Sequence, residues 1–320
     1  MLIQLATFGL IAALLPLSIV WVSENTDKYR KLIEFTLLLC FSLIMFGSYL
    51  RLNESNSITP TIAWFQISHR YLAMTIGVLI LSISMIAWRK WLQQRESRFS
   101  PFLPMLMLGL LCLQGAIGAL TMTLKQPLIV TSQLLLGMSL LALLTWQGAR
   151  LNDHRSVSRA SMLQLPALLS GILLTLQLAL GGWVSSNYAA LACTDFPLCQ
   201  GMLWPPMDLP HGFALWHDRG TTSSGESLSL QALTAIHWVH RGIAFAVLAL
   251  TSWVAIQALA FDGLRRTSFW LLSGLILQFS TGILMVLLNF PLTLALIHTG
   301  GAALLVILLT TLNFKIRRAG

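Results

Sequence analysis

Apolar residues run along this chain in long continuous blocks, broken by short polar segments rich in Lys, Arg, Asn, Gly and Pro. Nine blocks stand out, at residues 2–22, 33–50, 67–88, 101–123, 128–148, 162–186, 231–257, 267–289 and 291–313. Each approaches the roughly 20 apolar residues that a helix needs to cross a hydrocarbon core about 30 Å thick. The runs are continuous rather than alternating, which excludes a membrane β-barrel. The pattern predicts an all-α polytopic membrane protein of about nine transmembrane helices. No basic cluster precedes the first run as it would in a cleaved signal peptide, so 2–22 reads as a true helix.

Composition agrees with that reading. The 320 residues are 56% hydrophobic and 10% charged, too few charges for a water-facing surface. The net charge of +9 would suggest nucleic acid as a partner in a soluble chain. Its distribution argues otherwise. Lys28, Arg30 and Lys31 follow the first run; Arg89, Lys90, Arg95 and Arg98 the third; Arg150, Arg155 and Arg159 the fifth. Arg265 and Arg266 follow the seventh, and Lys315, Arg317 and Arg318 the ninth. Alternate loops therefore hold 15 of the 20 basic residues, and the opposite loops only Arg51, Lys125 and Arg219. The positive-inside rule then places the N-terminus outside and the C-terminus in the cytoplasm, with the bilayer and not nucleic acid as partner.

After the first run the chain reads as two similar halves, and the match lies in the polar residues. Gln66-Ile67-Ser68-His69-Arg70 in the third run corresponds to His237-Trp238-Val239-His240-Arg241 in the seventh. Gln114 and Gly118, Gln177 and Gly181, and Gln278 and Gly282 form three Gln-x-x-x-Gly elements. Pro127 and Pro291 open two runs, followed two turns later by Gln133 and His298 respectively. This predicts two pseudo-symmetric four-helix bundles, residues 28–150 and 151–320, plus an extra N-terminal helix at 1–27, with a long external loop at 187–230.

Ionisable residues inside a span are costly and mark candidate sites. His240 and His298 fall at similar depths, roughly 13 and 10 Å from the external ends of their runs. Two imidazoles so placed suit the axial ligation of a heme iron, with the Arg241 guanidinium beside a propionate. The competing reading is that both histidines only hydrogen-bond between helices. His237, one turn before His240, suits proton transfer, support of a ligand or a plain interhelix hydrogen bond. The Gln-x-x-x-Gly elements suit close helix packing or contacts with a heme edge. His154, His211 and His217 fall in loops and read as solvated. Cys40 and Cys112 lie within runs and read as small packing residues. Cys193 and Cys199, in the external loop, suit a local disulfide or a pair of metal-binding thiols.

The chain resembles the heme A synthase family over about residues 28–315. The resemblance rests on Gly181-Gly182-Trp183-Val184-Ser185-Ser186-Asn187-Tyr188, the Cys193–Cys199 segment, Trp204-Pro205-Pro206, His237-Trp238-Val239-His240-Arg241 and His298. It implies oxidation of the C8 methyl of heme O to the formyl of heme A for cytochrome c oxidase biogenesis, in a bacterial inner membrane. It also implies a heme b held by His240 and His298, with Arg241 and His237 close by. His69 and Arg70 would bind the substrate heme, His69 on its iron. Heme O is then the substrate, and heme O synthase and oxidase assembly factors are candidate partners. The family's catalytic acid falls at Gln66, and its second substrate-side histidine at Gln133. These glutamines set a second reading beside the first: a non-catalytic heme b-binding oxidase assembly protein without the N-terminal active site. A b-type electron-transfer subunit is a third.

Overall fold

The computed structural model describes Leu14, Ser18 and residues 28–53, 60–94, 99–121, 124, 126–151 and 160–317. Apart from Leu14 and Ser18, the first apolar run lies outside the described residues, as do His154 and Glu54. Eight long helices follow in order: α1 (Lys28–Leu52), α2 (Pro60–Gln94), α3 (Phe102–Leu120), α4 (Pro127–Leu151), α5 (Gln164–Ser186), α6 (Leu230–Ala258), α7 (Asp262–Leu287) and α8 (Leu292–Arg317). All eight are long and apolar enough to cross a membrane, and no strand occurs among the described residues. The chain is a multi-pass membrane protein.

All of the helices but α3 and α5 overrun their apolar blocks at one end or both, because a block measures membrane thickness while the hydrogen-bonded helix continues into the interface. The largest difference is α2, which starts at Pro60 rather than near residue 67. Gln66 and His69 therefore lie two turns or so inside α2 instead of at its mouth. Proline occupies the first position of α2 and α4, where its missing N–H costs no helical hydrogen bond. Ser229 caps α6, its hydroxyl accepting from the Ala232 N–H at 3.2 Å.

Two compact units divide the chain: residues 1–115 with 137–154, and 116–136 with 155–320. In the first unit, Phe65 of α2 packs on Phe46 and Tyr49 of α1. The Ser84 hydroxyl of α2 donates to the Pro104 carbonyl of α3 at 3.2 Å. Gln114 of α3 faces Gly137 of α4, and Gln147 of α4 donates to the Tyr29 hydroxyl of α1 at 3.2 Å. These contacts close a ring of four helices. At one end of it the Lys90 ammonium lies over the rings of both Tyr29 and Phe99, at 5.6 and 4.7 Å.

In the second unit α5 packs on α6, α6 on α7, α7 on α8 and α8 back on α5, again a closed ring of four. Small residues make the close approaches. A side chain at Gly274 of α7 would meet Leu305 of α8 at 3.1 Å. Residues 127–134 of α4 belong to this unit, with Thr131 and Leu134 covering Gly182 and Leu128 packing on Trp183, Val184, Ala189 and Ile236. Cys40 is buried as expected. Cys112 is not a packing residue: it is exposed on the outer face of α3, since the apolar run there covers the whole helix circumference and carries no stripe to orient it.

Candidate functional site

The second unit carries two half-sites built alike. In one, the His240 ring of α6 lies over Gly181 of α5, where an added Cβ would sit 3.2 Å from His240 Cε1. In the other, His298 of α8 lies over Gly282 of α7, the matching distance being 3.3 Å. The glycine of each Gln-x-x-x-Gly element thus leaves room for an imidazole from the next helix. The glutamine of each element stands one turn away. Gln177 Nε2 lies 3.1 Å from His240 Nδ1 and 3.3 Å from Nε2, and an added Cβ at Gly301 would collide with Gln278 Oε1. The Oε1 atoms of both glutamines are buried without a hydrogen-bond partner.

Both histidines therefore do hydrogen-bond between helices, Gln177 to His240 and Thr281 to His298, the latter at 3.0 Å. The Thr281 bond uses Nδ1 of His298 and leaves its Nε2 for another partner, while the Gln177 amide lies within reach of both ring nitrogens of His240. A donor set of two neutral imidazoles suits heme iron. Two glycine seats and two orphaned amide oxygens beside them fit a group larger than a side chain. Among the described residues no group of three or more His, Cys, Asp or Glu side chains is placed to hold a metal ion.

Arg241 does something the sequence did not disclose. Its Nη1 donates to the carbonyls of Asp195 and Leu198 and its Nη2 to that of Cys193, all at 3.0 Å. Its Nε donates to His237 Nε2 at 3.2 Å. His237, buried at 6% exposure, is thereby joined to Arg241, while its Nδ1 is buried without a hydrogen-bond partner. The segment from Cys193 to Cys199 is in this way tied to α6 one residue beyond His240. Phe196 extends the contact another turn, stacking on Phe245 at 6.5 Å. Trp204 meets Trp238 at 4.4 Å, and the Trp238 indole donates to the Leu203 carbonyl at 3.0 Å. The loop after α5 is therefore folded down along the first turns of α6.

Cys193 and Cys199 form a disulfide with Cα atoms 4.8 Å apart, which decides between the two readings of this pair. Beside it the Asp195 carboxylate accepts from the backbone N–H groups of Gln200 and Gly201, both at 2.8 Å. The Gly201 bond first, then that of Gln200 and the nearby Arg241 charge, hold its carboxyl below the ordinary value of 3.8. A depressed carboxylate contributes stability above its unfolded pKa and loses it as pH falls through the lower folded value. Amide hydrogen exchange at Gln200 and Gly201, corrected for intrinsic rates, should show constant protection from pH 7 to about 4 and lose it below. Asp195→Asn should show weak protection at every pH; full protection in that variant would remove the carboxylate from the account of this turn.

His217 corrects another expectation. It is buried at 4% exposure, edge-on to Trp183 at 5.8 Å, with Nδ1 2.7 Å from the Asp218 carbonyl. The Trp183 indole donates to the Gly212 carbonyl at 2.9 Å, and a side chain at Gly212 would meet the Ala232 carbonyl at 2.7 Å. A small core thus sits under the loop, and nothing in a period of apolar positions announces it. His211 is exposed, its Nδ1 2.7 Å from an Asp208 carboxylate oxygen.

In the first unit His69 is half-buried against Gly47 of α1, an added Cβ lying 3.3 Å from its Nε2. Gln66, one turn earlier, is exposed, and Arg70 is half-buried. Gln133, grouped with the second unit, has its amide against Gly118 at 3.4 Å and its Oε1 buried without a partner. His69 and Gln133 thus each repeat the glycine seating of His240 and His298.

A family model described as cytochrome oxidase assembly protein matches residues 55–310. The chain is 36% identical over 263 residues to a heme A synthase of Shewanella oneidensis, covering 81% of this chain and 78% of that one. It is 31% identical over 250 residues to a heme A synthase of Rhodopseudomonas palustris strain HaA2, covering 74% and 64%. A heme A synthase of strain BisB5 of that species is 30% identical over 253 residues, covering 74% and 65%. The chain thus spans a little under two thirds of the two Rhodopseudomonas proteins. With four fifths of its length aligned to the Shewanella protein, and the family model matching most of its helices, this chain belongs to the heme A synthase family of cytochrome oxidase assembly proteins.

Proposed function

We propose that this protein is a heme A synthase that oxidises the C8 methyl of heme O to a formyl group in the bacterial inner membrane. The N-terminus faces outside and the C-terminus the cytoplasm. The observation that carries the reading is the pair of matched half-sites in the second unit, His240 over Gly181 and His298 over Gly282. A heme b bound there supplies one-electron redox chemistry. His240 and His298 hold its iron, the buried bundle excludes water, and Arg241 keeps one N–H of Nη2 beyond its loop bonds for a propionate. His237 holds the Arg241 guanidinium in place.

On the substrate side His69 and Arg70 bind heme O, His69 at its iron, and Gln133 falls in the sequence where the family has its second histidine. Taking a methyl to a formyl with water as the oxygen source releases four protons and four electrons, and the electrons must pass to an external electron acceptor. Gln66 is not basic enough to accept those protons as a carboxylate does. The exposed setting of Gln66 leaves that role to water or to another group. The same two glutamines favour a second reading, a heme b-binding oxidase assembly protein without turnover.

Heme extraction from membranes holding this chain and a heme O synthase separates the two. Heme A above the level made without this chain is the expected result. Heme b and heme O alone, from a folded chain carrying its heme b, would replace the synthase reading with the assembly one. In that case Gln66→Glu combined with Gln133→His is the variant in which heme A should appear.

A further inference from the structure

One of the differences between the two half-sites bears on how each ligand presents itself. In α7 the element reads Gln278-x-x-Thr281-Gly282; in α5 it reads Gln177-x-x-Leu180-Gly181. Thr281 is buried at 4% exposure. Its hydroxyl donates its one hydrogen to the Gln278 carbonyl at 2.9 Å, so only oxygen lone pairs remain for His298 Nδ1, 3.0 Å away. With that hydrogen already given to the Gln278 carbonyl, the hydroxyl can only accept, so Nδ1 must carry the hydrogen, since facing lone pairs in a buried place would leave both unsatisfied. The Nδ1–H tautomer puts the free lone pair on Nε2.

We propose that Thr281 is a positioning residue for the ligand His298: it holds the ring as the Nδ1–H tautomer and turns the Nε2 lone pair to the iron. This rests on the heme reading above. Leu180 offers His240 no hydroxyl, so that ring depends on Gln177 alone. The buried Oε1 of Gln177 serves His240 Nδ1–H once the amide turns about its last bond. The two axial ligands are therefore unequally supported. A hydroxyl accepting from Nδ1–H makes an imidazole a stronger donor to iron and favours the ferric state.

The test uses the full chain with its heme bound, as wild type, Thr281→Val, Thr281→Ser and Leu180→Thr, read by redox titration and by the ferric low-spin electron paramagnetic resonance signal. Thr281→Val should keep its heme, because both histidine ligands remain in place. Its midpoint potential should rise so that the oxidised-to-reduced ratio at a fixed poise falls by roughly threefold or more. Thr281→Ser should return potential and signal to wild type, and Leu180→Thr should move the potential the opposite way. Loss of heme from Thr281→Val with retention in Thr281→Ser also supports the hydroxyl. Wild-type potential and signal in Thr281→Val would overturn the proposal, as would equal shifts in the Val and Ser variants, which mark a packing effect. A low-spin bis-histidine spectrum that survives His298→Ala would instead overturn the ligand reading itself, which the Thr281 series does not address.

Discussion

His240→Ala and His298→Ala should each abolish the low-spin b-type spectrum of the purified protein, while His69→Ala and Gln133→Ala should leave it at wild-type intensity. Two strong-field imidazoles are needed to keep heme iron low-spin, and an alanine at either position removes one of them. The effect should be close to complete. No third histidine among the described residues shares the glycine seats of the second unit, His237 being turned to Arg241 instead. Each truncation also leaves a polar partner behind: Gln177 opposite residue 240 and the Thr281 hydroxyl opposite residue 298. A few kcal/mol of stability should be lost as well, about 1–3 for each buried group left unpaired. Absorption spectra read heme, and size-exclusion profiles in detergent read folding, so the two losses separate. Low-spin heme in either alanine variant would remove that histidine from the ligand pair. Loss of the same spectrum in His69→Ala would move the heme b to the other half of the chain.

How far the sequence discloses this site differs residue by residue, for physical reasons. His240, His298 and Arg241 could be singled out as candidates because a polar side chain in a membrane span is costly and demands a use, but the loop carbonyls that Arg241 bonds could not. The eight described helices were legible because their apolar blocks match membrane thickness, although the start of α2 was not, since Gln66, Ser68, His69 and Arg70 separate its first apolar residues, Ile62 to Phe65, from the main run. The Gln-x-x-x-Gly elements were visible as repeats, but helical spacing gives a face and not a partner. That Gly181 seats His240 and Gly282 seats His298 needed the packing of neighbouring helices. Thr281 passed unnoticed because hydroxyls in membrane helices commonly bond their own backbone, as Ser42, Thr75 and Thr145 do here. The loop after α5 was least legible. His217 and the carbonyl partners of Arg241 depend on turns made by a disulfide, by Asp195 and by the Trp183–Gly212 bond, none of which leaves a periodic trace.

Arg241 gives the second large effect. Arg241→Ala removes four hydrogen bonds at once, three of them to the carbonyls of Cys193, Asp195 and Leu198. Hydrogen bonds to charged groups contribute about 1.5–3 kcal/mol each, and members of one network do not add fully, so a total cost of about 3–5 kcal/mol is expected. That loss should fall on the loop rather than on the four-helix ring, whose interhelix contacts do not use Arg241. The observable is cleavage between residues 193 and 204 by an externally added protease, slow in wild type and fast in the variant, with helix content unchanged. Arg241→Lys should recover only part of the protection. An ammonium is a point donor, whereas the guanidinium fork reaches three carbonyls and His237 in one plane. Heme retention in Arg241→Ala should fall less than in the histidine variants, because the iron ligands stay in place while the segment tied beside His240 comes loose. Wild-type protease resistance in Arg241→Ala would mean that the disulfide and the Trp204–Trp238 contact hold the loop without it. The arginine would then be left to a propionate alone.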